Sequence, residues 1–131
     1  MISSKSNYAL KAMIYIAVNN DKIVKIKDIS KSEDIPNKYL EQVISLLTKG
    51  GLLKSFRGNN GGYQLVKKPD EYTAYEIITA VDGSIDINYD QKNLLKFWND
   101  YNNYVKEKLN NIKLSTLVEE YSNYSIDNYY I

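Results

Sequence analysis

The chain has 131 residues, 44% of them hydrophobic and 25% charged, which fits one globular domain, or a domain with an appendage, and leaves no run near the ~20 apolar residues of a membrane span. It has no cysteine and no histidine, so disulfides, zinc fingers, thiolate-held iron–sulfur clusters, Cys/His and Ser/His/Asp catalysis and histidine pH switches are excluded. The net charge of +1 is unevenly placed: residues 1–70 carry twelve Lys/Arg against six Asp/Glu, residues 71–131 five against ten. Such a split is expected where a basic half meets a polyanion, and chance clustering on a solvated surface also produces it. Met1 is followed by polar "ISSKSN" rather than a leader, so the expectation is a cytoplasmic protein without a membrane segment.

From Ser4 to Asn19, Ala9, Ala12, Met13, Ile16 and Ala17 fall at the offsets of a one-faced helix. "KIKDISKSED" predicts a short second helix with Ile29 inward, and Pro36 suits the first turn of a third helix running to about Lys49. In that third helix Leu40, Val43, Ile44 and Leu47 make the buried stripe. Lys38, Gln42, Ser45 and Lys49, with Tyr39 beside them, make the opposite face, and Gly50–Gly51 supply the left-handed stop. Two short helices closing on a third with a polar, basic outer face is the pattern of a helix-turn-helix, although periodicity alone fits any small helical bundle.

"LLKSF" and "GYQLV" predict two strands joined by Arg57 to Gly61, with Asn60 and Gly61 as the tolerant turn residues. Neither the Walker spacing nor the dinucleotide G-x-G-x-x-G is present in "RGNNGGYQL", which opens a strand and not a helix. A hairpin after a recognition helix reads as a wing whose glycines permit close approach to a duplex and whose Arg57 suits a narrow minor groove. A plain glycine hairpin has the same spacing.

Thr73 to Glu76 has the capping-box form, starting a fourth helix that stops at Asp82 and Gly83. After the polar linker "SIDINYDQKN", Leu94, Trp98, Tyr101, Val105, Leu109 and Ile112 recur at helical spacing, widened by Phe97 and Tyr104. A helix of about 20 residues is about 30 Å long, more than a small head covers, so its apolar side is expected to meet a second copy of the chain. Folding back on its own domain is the other outcome. "LSTLVEEY" predicts one short helix, and residues 122–131 a polar, tyrosine-rich tail. The organisation expected is thus a head over 1–83, a linker with the long and short helices over 84–121, and the tail: mainly α with a small β-hairpin wing. No nucleophile–base pair is evident, and Glu119 and Glu120 face different directions on a helix, so an enzyme is not expected and no catalytic or metal-binding residue is assigned.

Together, "SNYALKAMIYIA", "YLEQVISLLTKGGLLKSFRGNNGGYQL" and "TAYEIITAVDG" resemble the bacterial Rrf2 family of winged-helix transcription regulators. The resemblance implies a homodimer on a palindromic double-stranded operator, with Lys38, Tyr39 and Gln42 of the recognition helix in the major groove. It also implies Arg57, with Asn59 and Asn60, on the wing, and Lys5 near phosphates. Gln can read an adenine edge, Arg suits a narrow minor groove and Lys neutralises phosphate; Tyr39 can also simply pack, and Glu41 can be solvated or repel wrong bases. Cluster-binding members place three cysteines after the fourth helix, where this chain has none, so the resemblance is to the cluster-free branch and no cofactor is expected. The back half, ending "NYYI", resembles that branch's repressors of cysteine metabolism, which implies cysteine synthase as a partner and Tyr130 and Ile131 as its docking residues. A metabolite-responsive regulator with another regulon, and a winged helix that binds only protein, are the alternatives.

Overall fold

The computed structural model describes residues 2–89 and 92–129. Helix α1 (Ser4–Val18) begins at Ser3, whose hydroxyl accepts from the Lys5 N–H, and buries Ala9, Ala12, Met13 and Ile16. Helix α2 (Ile26–Glu33) buries Ile29 and ends at Asp34, which holds the left-handed conformation at φ 54°. The next residue but one, Pro36, is the N-cap of α3 (Asn37–Lys49), one position ahead of the first-turn place expected for it. All four residues of the predicted stripe, Leu40, Val43, Ile44 and Leu47, are buried.

The stop of α3 is a Schellman motif: the Leu52 N–H bonds to the Leu47 carbonyl at 3.0 Å and the Gly51 N–H to the Thr48 carbonyl at 3.0 Å, with Gly51 at φ 80°. The chain then enters β1 (Leu53–Phe56), which pairs antiparallel with β2 (Gly62–Leu65) in the register Leu53↔Leu65 to Phe56↔Gly62. Val24 adds one bridge on the other side of Tyr63, with bonds of 2.8 and 2.9 Å. A 3-10 turn at Pro69–Glu71 leads to α4 (Ala74–Asp82), whose capping box is complete: Glu76 N–H to Thr73 Oγ1 at 3.2 Å and Thr73 N–H to Glu76 Oε1 at 3.1 Å. Helices α1, α3 and α4 pack on one another around a single core, and the hairpin projects from it as a wing.

Beyond Gly83 the structure departs from the expected boundaries. A 3-10 turn at Lys92–Leu94 precedes α5 (Leu95–Asn110), so Leu94 and Ile112 of the expected long helix flank it rather than belong to it. At 16 residues α5 is about 24 Å long. Helix α6 (Leu114–Tyr129) runs well past the short helix expected there and takes in the polar stretch 122–129. It returns to the head, where Leu114 is fully buried and Val118 packs on the core.

Candidate nucleic-acid interface

The inward turn of Leu40, Val43, Ile44 and Leu47 forces the intervening positions of α3 outward. Lys38, Glu41, Gln42, Ser45 and Leu46, together with Lys5 from α1, line an open cleft of about 510 Å³. Three of the residues expected to meet nucleic acid, Lys5, Lys38 and Gln42, are therefore brought together by two helices. Tyr39 is outside the lining; it is 53% exposed and its ring stacks on Tyr8 with centroids 6.5 Å apart. Two ammonium groups, an amide and one acceptor-only carboxylate face the same open space. That set can neutralise phosphates and hydrogen-bond base edges.

Lys5 is stationed by a tie between the start of α1 and the end of α4. Asp82 accepts from the Ser3 N–H at 2.9 Å and from the hydroxyls of Ser3 and Ser6. Burial would raise the Asp82 carboxyl, but the Ser3 and Ser6 hydrogen bonds, the Ser3 N–H and the nearby Lys5 charge outweigh it and hold the group below the usual carboxylate value.

On the wing, Arg57, Asn59 and Asn60 are all exposed, and Arg57 has no ion pair among the described residues. They do not line the α1–α3 cleft. The turn uses Asn60 and Gly61 as expected: Asn59 and Asn60 are its central residues, closed by the Gly61 N–H on the Gly58 carbonyl at 3.0 Å. Gly58 takes the positive φ, 101°, and Gly61 is needed for space, since a Cβ there would stand 2.2 Å from the Phe56 carbonyl oxygen. Gly62 meets the same limit against the Val24 carbonyl oxygen, at 2.4 Å, because the Val24 bridge lies against β2. Two holds on the wing have no signature in the sequence: Lys25 Nζ donates to the Asn59 carbonyl at 2.9 Å, and Tyr72 Oη donates to the Leu52 carbonyl at 2.8 Å.

The residues expected at a dimer contact lie in the back half. None of the α5 residues is buried; Leu94, Phe97, Tyr101 and Tyr104 are exposed, the last at 70%, while Trp98, Val105, Leu109 and Ile112 are half-buried. Trp98 gathers Tyr89, Phe97 and Tyr101 around it at 5.1, 4.9 and 5.5 Å between centroids. Asn102 pins the linker, its Oδ1 accepting from Ile87 N–H at 2.8 Å and its Nδ2 donating to the Ile87 carbonyl at 2.9 Å. Tyr130 and Ile131 lie outside the described residues.

Residues 2–120 match the profile of the Rrf2 family, described as an iron-dependent transcriptional regulator. The HTH-type transcriptional regulator IscR of Cronobacter sakazakii is 37% identical over 128 residues, covering 89% of this chain and 79% of that one. Among solved structures, CymR (YrzC), the global cysteine regulator of B. subtilis, superimposes with a TM-score of 0.82 at 34% identity over 92% of this chain and 97% of its own. Staphylococcus aureus CymR does so with a TM-score of 0.75 at 31% identity, over 89% and 97%.

Proposed function

The chain belongs to the Rrf2 family of transcriptional regulators, and from that premise we propose that it is a homodimeric, sequence-specific binder of double-stranded DNA that represses genes of cysteine or sulfur metabolism. The observation that carries the reading is the solvent-open cleft where Lys5, Lys38 and Gln42 converge, together with an exposed arginine on the wing. A recognition helix offers these groups to base edges and phosphates in the major groove, and Arg57 to the minor groove. Two copies joined along the exposed aromatic face of α5 would match a two-fold operator. Placement in cysteine metabolism is supported by the likeness to CymR, over nearly the whole of both chains.

Although the family is described as iron-dependent, the residues of this chain do not suit an iron–sulfur cluster. The linker after α4, "SIDINYDQKN", offers carboxylate, amide and hydroxyl oxygens but neither thiolate nor imidazole. No group of three or more Asp or Glu positioned for a metal occurs among the described residues. In this reading the regulator works without a cluster, and its signal arrives by complex formation with cysteine synthase, docked through Tyr130 and Ile131.

A directly metabolite-responsive version is favoured by one feature, a cleft of about 250 Å³ lined by Ile2, Ile85, Ile87, Tyr101 and Val105. Trp98 would report binding there by fluorescence. The experiment that tests the proposal is footprinting of the purified chain on fragments of its own genome, with and without cysteine synthase. Protected palindromes upstream of sulfur-assimilation genes, altered by the enzyme, are expected. Protection that ignores the enzyme but answers to a sulfur metabolite selects the second version, and no protection anywhere removes both.

A further inference from the structure

The wing is a ribbon of only four residue pairs; its root is anchored by the buried Leu53 and Leu65, and one further side chain that no periodicity announces ties it by hydrogen bonds. Tyr72 stands between β2 and α4 and is completely buried. Its hydroxyl donates to the Leu52 carbonyl at 2.8 Å and accepts from the Val66 N–H at 2.9 Å and the Lys67 N–H at 3.3 Å. One oxygen thereby uses its donor and both acceptor sites to join the residue that enters β1 to the two that leave β2.

Its backbone is as firmly held as its side chain. Leu114 N–H bonds to the Tyr72 carbonyl at 3.1 Å, Thr73 bridges Lys113, and Ala74 N–H bonds to the Ile112 carbonyl at 2.8 Å. The ring is capped by Lys67 Nζ, 4.8 Å from its centroid, and Lys67 pairs with Glu76 at 3.2 Å. An aliphatic side chain could fill the same space without bringing in a hydroxyl, which is costly to bury unless it is satisfied. What the hydroxyl adds is geometry.

We propose that Tyr72 is the positioning residue of the wing, fixing the angle at which the hairpin leaves the head and so where Arg57 arrives. The proposal rests on the DNA-binding reading above. Its physical basis is leverage. Four strand residues carry the tip about 13 Å from the root at about 3.3 Å each, so a root rotation of roughly 10° moves the tip by about 2 Å, more than a hydrogen bond tolerates. The Val24 bridge and the Lys25 bond act further along the ribbon and do not touch the root.

The test is Tyr72→Phe in the full chain, which keeps the ring and its packing. The probe is the palindromic duplex that the wild-type chain enriches from a randomised pool, bound at a temperature where melting curves show both proteins folded. The expected results are faster amide exchange at Val66, Lys67 and along the wing, and affinity lower by about fivefold to tenfold. In an Arg57→Ala background, Tyr72→Phe should change affinity by less than about twofold. Unchanged exchange, unchanged affinity, or an equal loss with and without Arg57 each overturns the positioning role. Failure of the wild type to enrich any duplex sinks the DNA-binding reading and this role together; enrichment with equal binding by the variant sinks this role alone.

Discussion

The head, up to Gly83, and the back half beyond it are built to different degrees of completion. In the head every helix turns an apolar face into one shared core, whereas α5 has none of its residues buried and clusters Phe97, Trp98 and Tyr101 with Tyr89 of the linker. The solvent face of α3 is mainly polar and basic, with Tyr39 and Leu46 among its groups. The α5 surface instead leaves Leu95, Phe97, Tyr101 and Tyr104 exposed. A single chain thus holds a head whose helices close on one core, which Leu114 of α6 helps to fill, and an α5 whose apolar face stays open, the face that the proposed dimer would cover.

The largest effect expected is in the head. Leu47→Ala should cost about 2–5 kcal/mol by leaving a cavity, seen as a lower melting temperature at every protein concentration. In the back half, paired Phe97→Ser and Trp98→Ser substitutions should lower the melting temperature in a concentration-dependent way, by dissolving the proposed dimer. Sedimentation then gives one chain per particle; a melting temperature insensitive to both concentration and substitution removes the contrast between the halves.

Smaller effects test the head's outer face. Gln42→Ala should lose about 1–3 kcal/mol of discrimination at one base position, measured against a panel of duplexes with single base changes. Lys38→Ala should weaken all sequences alike and lower the steepness of the log affinity against log salt plot by about 1. The smallest concerns Asp82. Its carboxyl is held below its ordinary 3.8, so it adds stability above that value, and the contribution disappears as pH falls from about 4 through the folded-state value. Asp82→Asn should flatten that acid limb in urea melts between pH 5 and 3, and an unaltered limb refutes the tie between α1 and α4.

Much of the head is legible because its signals are local and periodic. The stripe Leu40–Val43–Ile44–Leu47, the capping box at Thr73 and the glycine stop after Lys49 each state their structure within a few residues. Lys38 and Gln42 could be read as outward-facing for the same reason, Lys5 only through the family resemblance, and the structure adds that the three share a cleft. What escapes reading is set by contacts distant in the chain. Asn60 and Gly61 are legible as turn residues, but the demand for glycine at Gly61 and Gly62, set by the carbonyl oxygens of Phe56 and Val24, is not. The start of α6 at Leu114 is legible in "LSTLVEEY", but its extent is not, because "SNYSIDNY" has no apolar period. Tyr72 and Lys25 are isolated residues between elements, with partners 20 and 34 positions away.

Surface loops ordinarily absorb mutation, yet the wing's turn cannot. Any side chain at Gly61 or Gly62 collides with a carbonyl oxygen, and Gly58 sits in a conformation that other residues rarely adopt. A single-nucleotide change in any of these three codons that replaces glycine is therefore a change of loop shape, whatever amino acid results. Populations carrying this gene should show silent variation at those codons while neighbouring exposed positions drift freely.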